Sequence, residues 1–334
     1  MEKIERKPLG AIDALSAGFE LVLRRPWLLL VPLALDLFLW VGPQIQAKPV
    51  FEQMVRVLSA AAATQSGSPD TQQAFDAFTQ TLQVVGNHFN AFSFVALFGI
   101  GVPSIVPLDL PPADLVKPMV LFSIQDETAF LGWTALFAVV GLFIGSIYLE
   151  WIARTVRQEG SRLNAFAPRV LKSFASVLAL AITLGVASLF LIIPFGLGAV
   201  LISVLSPGLG VFFILMIWLL LMWAGLYLAF AIPAIFVSGA NVGQAILNSV
   251  TIFRYNFWPA MGLVFLIVLI QMGFSVIWQL LVDSTVGLIV DMVANAILGT
   301  ALIAAGMLFY HDRFTWLTEV RQRIHQQQRP SIKG

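Results

Sequence analysis

Residues 209–237 read LGVFFILMIWLLLMWAGLYLAFAIPAIFV and contain no charged side chain. A helix needs roughly 20 consecutive apolar residues to cross the hydrocarbon core of a bilayer, so this stretch is typical of a membrane span. The rest of the chain has a similar character, because 59% of the 334 residues are hydrophobic and only 11% are charged. Such a composition cannot cover the surface of a soluble protein of this length. The sequence therefore predicts an all-α, polytopic membrane helix bundle.

Five other apolar stretches are comparable, which brings the expected number of transmembrane helices to about six. The predicted spans are residues 26–42, 129–153, 174–204, 209–237, 259–282 and 285–309. The first is the shortest and has Pro32 near its start. Pro194 predicts a kink or break in the third span. Ser206, Pro207 and Gly208 predict a tight hairpin between the third and the fourth.

Lysine and arginine are unevenly distributed between the predicted loops. Five precede the first span, five follow the second, Arg254 follows the fourth and five lie after the sixth, whereas residues 43–128 contain only Lys48, Arg56 and Lys117. Cytoplasmic loops accumulate these residues, so both termini are expected in the cytoplasm. The predicted regions are a cytoplasmic interfacial helix with the first span (1–42), an extracytoplasmic helical loop (43–128), a five-span bundle (129–310) and a basic cytoplasmic tail (311–334).

The extracytoplasmic loop has a more soluble-like composition. Segments 50–63 and 72–89 carry apolar residues at helical spacing and predict two amphipathic helices. Segment 91–108 is apolar but contains two glycines and two prolines, so it is interpreted as an interfacial or re-entrant element.

Two segments of the chain align without a gap. They are ALSAGFELVLRRPW (Ala14 to Trp27) and AILNSVTIFRYNFW (Ala245 to Trp258), and a looser third copy begins at Ala165. One interpretation is a threefold parallel repeat of an interfacial helix followed by a hairpin of two spans. The other is that helices approaching a membrane commonly carry basic residues and tryptophan.

The stretch from Pro233 to Trp258 also carries a family resemblance. With AILNS before Phe253, Arg254, Asn256 and Trp258, it resembles the poorly characterised bacterial six-helix membrane proteins related to the membrane domain fused to some glycerophosphodiester phosphodiesterases. The resemblance covers the fourth to fifth spans and is echoed at the N-terminus. It implies the six-helix architecture and a bacterial inner membrane, whereas the phosphodiesterase activity does not carry over to these residues.

Ionisable and polar side chains inside predicted spans are candidate functional residues, because a charge at mid-bilayer costs at least about 2.5 kcal/mol. The candidates are Asp36, Asp291 and their polar companions Gln271 and Asn295. The two acids are interpreted either as protonated groups that donate hydrogen bonds to Gln271 or Asn295, or as a proton- or cation-coupled site. Glu150 is expected to pair with Arg154, four residues later on the same helix.

Arg24, Arg25 and Arg254 occupy the matching segments of the proposed repeat. Their simpler role is to anchor the chain at the membrane interface. The more specific hypothesis is contact with phospholipid headgroups, because guanidinium groups pair with phosphate through two hydrogen bonds.

Several chemistries are disfavoured by the residues present. The chain has no cysteine, its three histidines lack metal-ligand spacing, and it has no Walker-type loop or Gly-x-Ser-x-Gly elbow. No cofactor, metal, catalytic residue or nucleic-acid partner is therefore expected. The leading hypothesis is a non-enzymatic protein that organises membrane lipids or partner membrane proteins, with self-association as a further option. The alternative is a small transporter or channel that uses Asp36 and Asp291.

Overall fold

The computed structural model describes residues 8–63, 69–96, 102–104, 120–159, 166–279 and 284–327. These residues form an all-α structure, as predicted, with one short parallel pair of strands that the sequence did not indicate. The strands are β1 (Gln44–Gln46) and β2 (Val120–Ser123), and two 3-10 helices cover Pro26–Leu29 and Ala91–Ala96. The α-helices are α1 (Ala11–Arg24), α2 (Leu30–Val41), α3 (Lys48–Ala63), α4 (Pro69–His88), α5 (Glu127–Val156), α6 (Phe166–Leu205), α7 (Pro207–Leu228), α8 (Ala231–Ser238), α9 (Val242–Tyr255), α10 (Phe257–Gln279) and α11 (Thr285–Gln327).

Five helical segments of the described chain are long and apolar enough to cross a membrane. They are Glu127–Val156, Phe166–Ala199, Gly208–Ser238, Phe257–Ile277 and Thr285–Val320. The first of the six predicted spans differs, because Pro26–Val41 forms only a shorter apolar segment. Its 3-10 and α-helical turns together rise about 26 Å, which is less than the roughly 30 Å of the hydrocarbon core. Five long candidate spans and one short apolar segment thus correspond to the six predicted spans. A segment shorter than the hydrocarbon core can still cross it where the bilayer thins locally.

The fourth predicted span is two helices, α7 and α8, that meet at Ala229 and Phe230. Pro233 explains this break, because in a continuous helix its ring would clash with the carbonyl of Ala229. Ser249 of α9 satisfies the backbone groups that the break releases. Its hydroxyl donates to the Tyr227 carbonyl at 2.7 Å and accepts from the Phe230 amide at 3.0 Å.

Two long helices extend beyond the predicted boundaries. The predicted break at Pro194 is not observed, since α6 continues through this residue from Phe166 to Leu205. The segment after Ala165 is therefore the first turns of a long helix rather than a separate interfacial helix. Likewise α11 continues to Gln327, through most of the residues predicted as a tail.

The segment predicted to be an extracytoplasmic loop contains the two predicted helices, α3 and α4. Phe51 of α3 packs near Phe89, just beyond α4, with ring centroids 5.3 Å apart. Of the segment interpreted as interfacial or re-entrant, the 3-10 helix Ala91–Ala96 and residues 102–104 are described, and its other residues lie outside the described ranges.

The chain divides into two compact units. Unit 1 comprises Met1–Leu28, Ser146–Gly273 and Leu298–Gly334, and unit 2 comprises Leu29–Gly145 and Phe274–Ile297. The core of unit 1 is rich in aromatic side chains that are completely or almost completely buried: Tyr148, Phe230, Phe236, Phe253, Phe309 and Tyr310. Among its buried polar atoms, the hydroxyls of Tyr148 and Thr300 form a hydrogen-bonded pair 2.7 Å apart.

Helices α1 and α9 share their length and their termini. Each has 14 residues, and the capping residues Gly10 and Asn241 have nearly the same extended conformation (φ −73°, ψ 171° and φ −76°, ψ 173°). The side chain three positions later accepts the capping residue's amide in both helices, at 3.0 Å for Asp13 and 3.4 Å for Gln244. The buried faces also correspond, in the pairs Ala14 and Ala245, Gly18 and Ser249, and Val22 and Phe253.

Candidate functional site

The two intramembrane acids predicted from the sequence are both completely buried in unit 2. Ser104 donates a hydrogen bond to Oδ1 of Asp36. Asp291 lies between Leu288 and Met292 on α11, and these two residues pack against Leu33 and Trp40, which flank Asp36 on α2. The structure therefore brings together the helix faces that carry the two acids.

The predicted polar companions of these acids are placed differently from each other. Asn295 is half-buried one turn after Asp291, whereas Gln271 is exposed on α10. The predicted hydrogen bond from a buried acid to Gln271 or Asn295 stays a prediction, with Asn295 the candidate on the same helix as Asp291. The sequence could not distinguish these positions, because hydropathy shows depth in the membrane but not which side of a helix faces the protein.

A charged cleft of about 280 Å³ in unit 1 was not anticipated as a site. It lies where the end of α5, the start of α6 and the end of α8 meet. The lining residues that matter for its chemistry are Glu150, Arg157, Glu159, Arg169, Lys172 and Gly239.

Arg157 is the central cation of the charged cleft. Its guanidinium contacts Glu150 at 2.5 Å and Glu159 at 3.0 Å, and it donates a hydrogen bond to the Phe236 carbonyl. The expected pairing of Glu150 with Arg154 is therefore wrong, and Arg154 instead lies over the ring of Phe166, 6.0 Å from its centroid. Because Glu150 is 2% exposed, its charge is neutralised inside the protein rather than by solvent.

Glu159 is the more accessible acid of the charged cleft. A hydrogen bond from Arg169, assisted by Arg157, lowers the pKa of Glu159 from its ordinary value. The carboxylate is therefore ionised at neutral pH and bridges the two arginines.

Two cations of the charged cleft also cap the C-terminus of α8. Arg157 binds the Phe236 carbonyl, and Lys172 donates to the Gly239 carbonyl at 3.0 Å. Gly239 ends the helix in the left-handed conformation, with φ at +65°. Cations near a helix C-terminus bind its unpaired carbonyls and its partial negative charge. These ion pairs and hydrogen bonds connect the end of α5, the start of α6 and the end of α8, so the role that they support is structural.

The three predicted headgroup contacts belong to two arginine–tryptophan patches, one at the C-terminal end of α1 (Arg24, Arg25, Trp27) and one at the C-terminal end of α9 (Arg254, Tyr255, Trp258). The tryptophans are 51% and 79% exposed, respectively. Arg24 and Arg254 are exposed, while Arg25 is half-buried and donates to the Thr155 hydroxyl at 3.3 Å. Exposed tryptophan beside arginine is typical of the boundary between water and lipid.

A buried arginine links the chain's N-terminal segment to the C-terminal part of α11. Arg313 donates to the Asn256 side chain at 2.8 Å and to the Leu9 carbonyl at 2.7 Å. The neighbouring Asp312 accepts the Leu9 amide at 2.7 Å. The sequence analysis placed Arg313 in a basic cytoplasmic tail, because no local pattern shows that two residues 304 positions apart are in contact.

Within the described ranges, no group of three or more histidine, aspartate or glutamate side chains could hold a metal ion. Comparison with protein-family models, with curated proteins and with solved structures gives no match. Function is therefore inferred from the residues of this chain.

Proposed function

We propose that this protein is a non-enzymatic integral membrane protein of the bacterial inner membrane that organises phospholipids, with partner membrane proteins as a second class of ligand and both termini in the cytoplasm. The observation that carries the proposal is the pair of exposed arginine–tryptophan patches. Arginine pairs with lipid phosphate, and tryptophan is favoured at headgroup level.

The correspondence of α1 and α9 supports this role. The two helices agree in length, capping conformation and buried positions, and a tryptophan follows each at the same offset, Trp27 and Trp258. We infer that they are an internal duplication, which would supply two headgroup-binding segments. The third predicted copy, which begins at Ala165, is not a separate short helix like α1 and α9, because α6 is one continuous helix from Phe166 to Leu205.

The helical pair α3 and α4 supports a partner-binding role. A protein that binds partners outside the membrane should present a defined structure there. Helix α3 and helix α4 carry exposed apolar side chains, including Val57 at 62% and Phe78 at 52%. Solvent-exposed apolar surface of this kind commonly marks interaction sites.

The lipid proposal predicts that an Arg24→Gln, Arg254→Gln double variant retains anionic lipid less well. Each arginine near an anionic surface contributes about 1 kcal/mol, so the double variant should bind phosphatidylglycerol roughly 30-fold more weakly. Native mass spectrometry of the full chain during titration with phosphatidylglycerol measures this change.

The matched control for that experiment is Lys48→Gln, Arg56→Gln, which removes the same charge from the exposed surface of α3. It should leave phosphatidylglycerol retention unchanged. Equal losses in both double variants, or no loss in either, would contradict specific headgroup contacts at the two patches.

The competing function is a small transporter that uses Asp36 and Asp291. The observation that favours it is that both carboxyls are completely buried on helix faces that pack together. Our proposal predicts no proton or cation flux in proteoliposomes above that of protein-free vesicles. Flux in the wild type that disappears in a folded Asp36→Asn, Asp291→Asn variant would instead establish the transporter.

A further inference from the structure

The charged cleft contains one more cation than its carboxylates neutralise. Its ionisable lining residues are three bases and two acids. Arg157 and Glu150 form the buried pair. Arg169 is paired with Glu159, whereas Lys172 has no ion pair within the part of the chain that the structure describes. With all five groups ionised, the lining therefore carries a net charge of +1.

The two outer cations of the cleft lie on one side of α6. Arg169 and Lys172 are three positions apart, so their side chains are neighbours on the helix surface. Both are exposed, and the Arg169 side chain is 46% exposed compared with 13% for Arg157. An ammonium group has three N–H donors, and Lys172 uses one of them on the Gly239 carbonyl. Donors of this pair are thus available to a ligand that enters from outside.

The cleft lies at the ends of two candidate membrane spans. The span in α5 ends at Val156, and the span in α6 begins at Phe166. Trp151, which is 37% exposed, stacks on Phe166 and is typical of the headgroup level. The volume of about 280 Å³ is several times that of a water, which occupies roughly 30 Å³ in the liquid, so the five heavy atoms of a phosphodiester group fit.

We propose that the charged cleft binds a singly charged phosphodiester through Arg169 and Lys172, and that Glu159 competes with this ligand for Arg169. Guanidinium and ammonium groups both donate charge-assisted hydrogen bonds to phosphate oxygens. One negative charge neutralises the lining, whereas a dianion would leave it negatively charged. Arg157 remains with Glu150 and holds the helices in place. The same group occurs in a phospholipid headgroup and in a soluble phosphodiester.

Isothermal titration calorimetry of the full chain in an uncharged detergent tests this site. The probes are short-chain phosphatidylglycerol and its deacylated headgroup, glycerophosphoglycerol. Binding of both would show that the phosphodiester suffices, and binding of the lipid alone would identify a membrane lipid as the source. Binding of the soluble probe alone would identify a free phosphodiester, and binding of neither would overturn the proposal.

Substitutions at the cleft should change the affinity in opposite directions. Lys172→Gln should weaken binding about 10-fold, because it removes a charged donor, and Lys172→Arg should retain binding. Glu159→Gln should strengthen binding about 2- to 5-fold, because it removes the competing charge. A purely structural role of Glu159 would give no such gain. Unchanged binding in Lys172→Gln, or weaker binding in Glu159→Gln at equal thermal stability, would overturn the proposal.

The matched control is Arg24→Gln, because Arg24 is also an exposed arginine paired with a glutamate, Glu20. It should leave the affinity for glycerophosphoglycerol unchanged. An equal loss in Arg24→Gln and Lys172→Gln would show that general surface charge causes the binding and would overturn the cleft site. The inference does not depend on the arginine–tryptophan patches, so loss of lipid binding at the patches and loss at the cleft are measured by different variants.

Discussion

Replacing Arg157 with methionine is expected to destabilise the folded protein by about 3–5 kcal/mol. The substitution preserves much of the side-chain volume but leaves the carboxylate of Glu150 without its cation in a site where that residue is 2% exposed. It also removes the donor to the Phe236 carbonyl at the end of α8. Detergent-induced unfolding in mixed micelles, followed by tryptophan fluorescence, measures the loss in free energy of unfolding.

The pair formed by Arg24 and Glu20 provides a matched control. Its nitrogen–oxygen distance is also 2.5 Å, but its side chains are 76% and 60% exposed, compared with 13% and 2% for Arg157 and Glu150. Arg24→Met should therefore cost less than about 1 kcal/mol, because water solvates the remaining carboxylate. Equal losses for the two substitutions would show that burial of the charge is not the cause.

A double substitution separates the unpaired charge from the loss of packing. Glu150→Leu combined with Arg157→Met removes both members of the buried pair, so it should be less destabilising than Arg157→Met alone. A double variant at least as unstable as the single variant would indicate that the other contacts of Arg157 dominate.

The membrane-spanning helices could be predicted because their signal is local. A run such as residues 209–237 is apolar along its whole length, and length alone makes it a span. The same measure could not show that Pro26–Val41 begins with a 3-10 helix before α2 starts at Leu30. Nor could it find the end of α11, because a helix that leaves the membrane continues with polar residues.

The partner of Glu150 could not be predicted from helical spacing. Periodicity selects Arg154, but α5 ends at Val156 and the chain reverses through Gln158, which has a positive φ of 54°. Arg157 lies in this turn, and its side chain reaches back to Glu150. The interaction depends on where the helix ends, and helix boundaries are among the least certain features of a sequence pattern.

The buried acids show a similar limit. Their position inside apolar predicted spans identified Asp36 and Asp291 as unusual, and both are completely buried. Their environment depends on residues far away in the chain, since Ser104 is 68 positions from Asp36. The matching segments of α1 and α9, in contrast, could be aligned from the sequence, because similar residues occupy corresponding positions in both segments without a gap.

Replacing Gly18 with alanine is expected to destabilise the protein by about 1–3 kcal/mol, although alanine is the better helix former. A Cβ at Gly18 would lie 2.4 Å from the Ala301 carbonyl oxygen and 2.8 Å from the Ala305 amide nitrogen. Both are backbone atoms of α11, so α1 or α11 must shift to accommodate the methyl group. Unfolding in mixed micelles measures the cost, and hydrogen exchange in α1 should increase.

Gly262→Ala is the control for this substitution, because a Cβ there would lie 3.9 Å from the Ala11 Cβ, an ordinary contact distance. It should be neutral or stabilise the protein by up to about 1 kcal/mol through helix propensity alone. If Gly18→Ala were equally harmless, α1 would have to be able to move away from α11 without cost. The contacts of Leu9 with Asp312 and Arg313 argue against this, because they hold the chain just before α1 to the same helix.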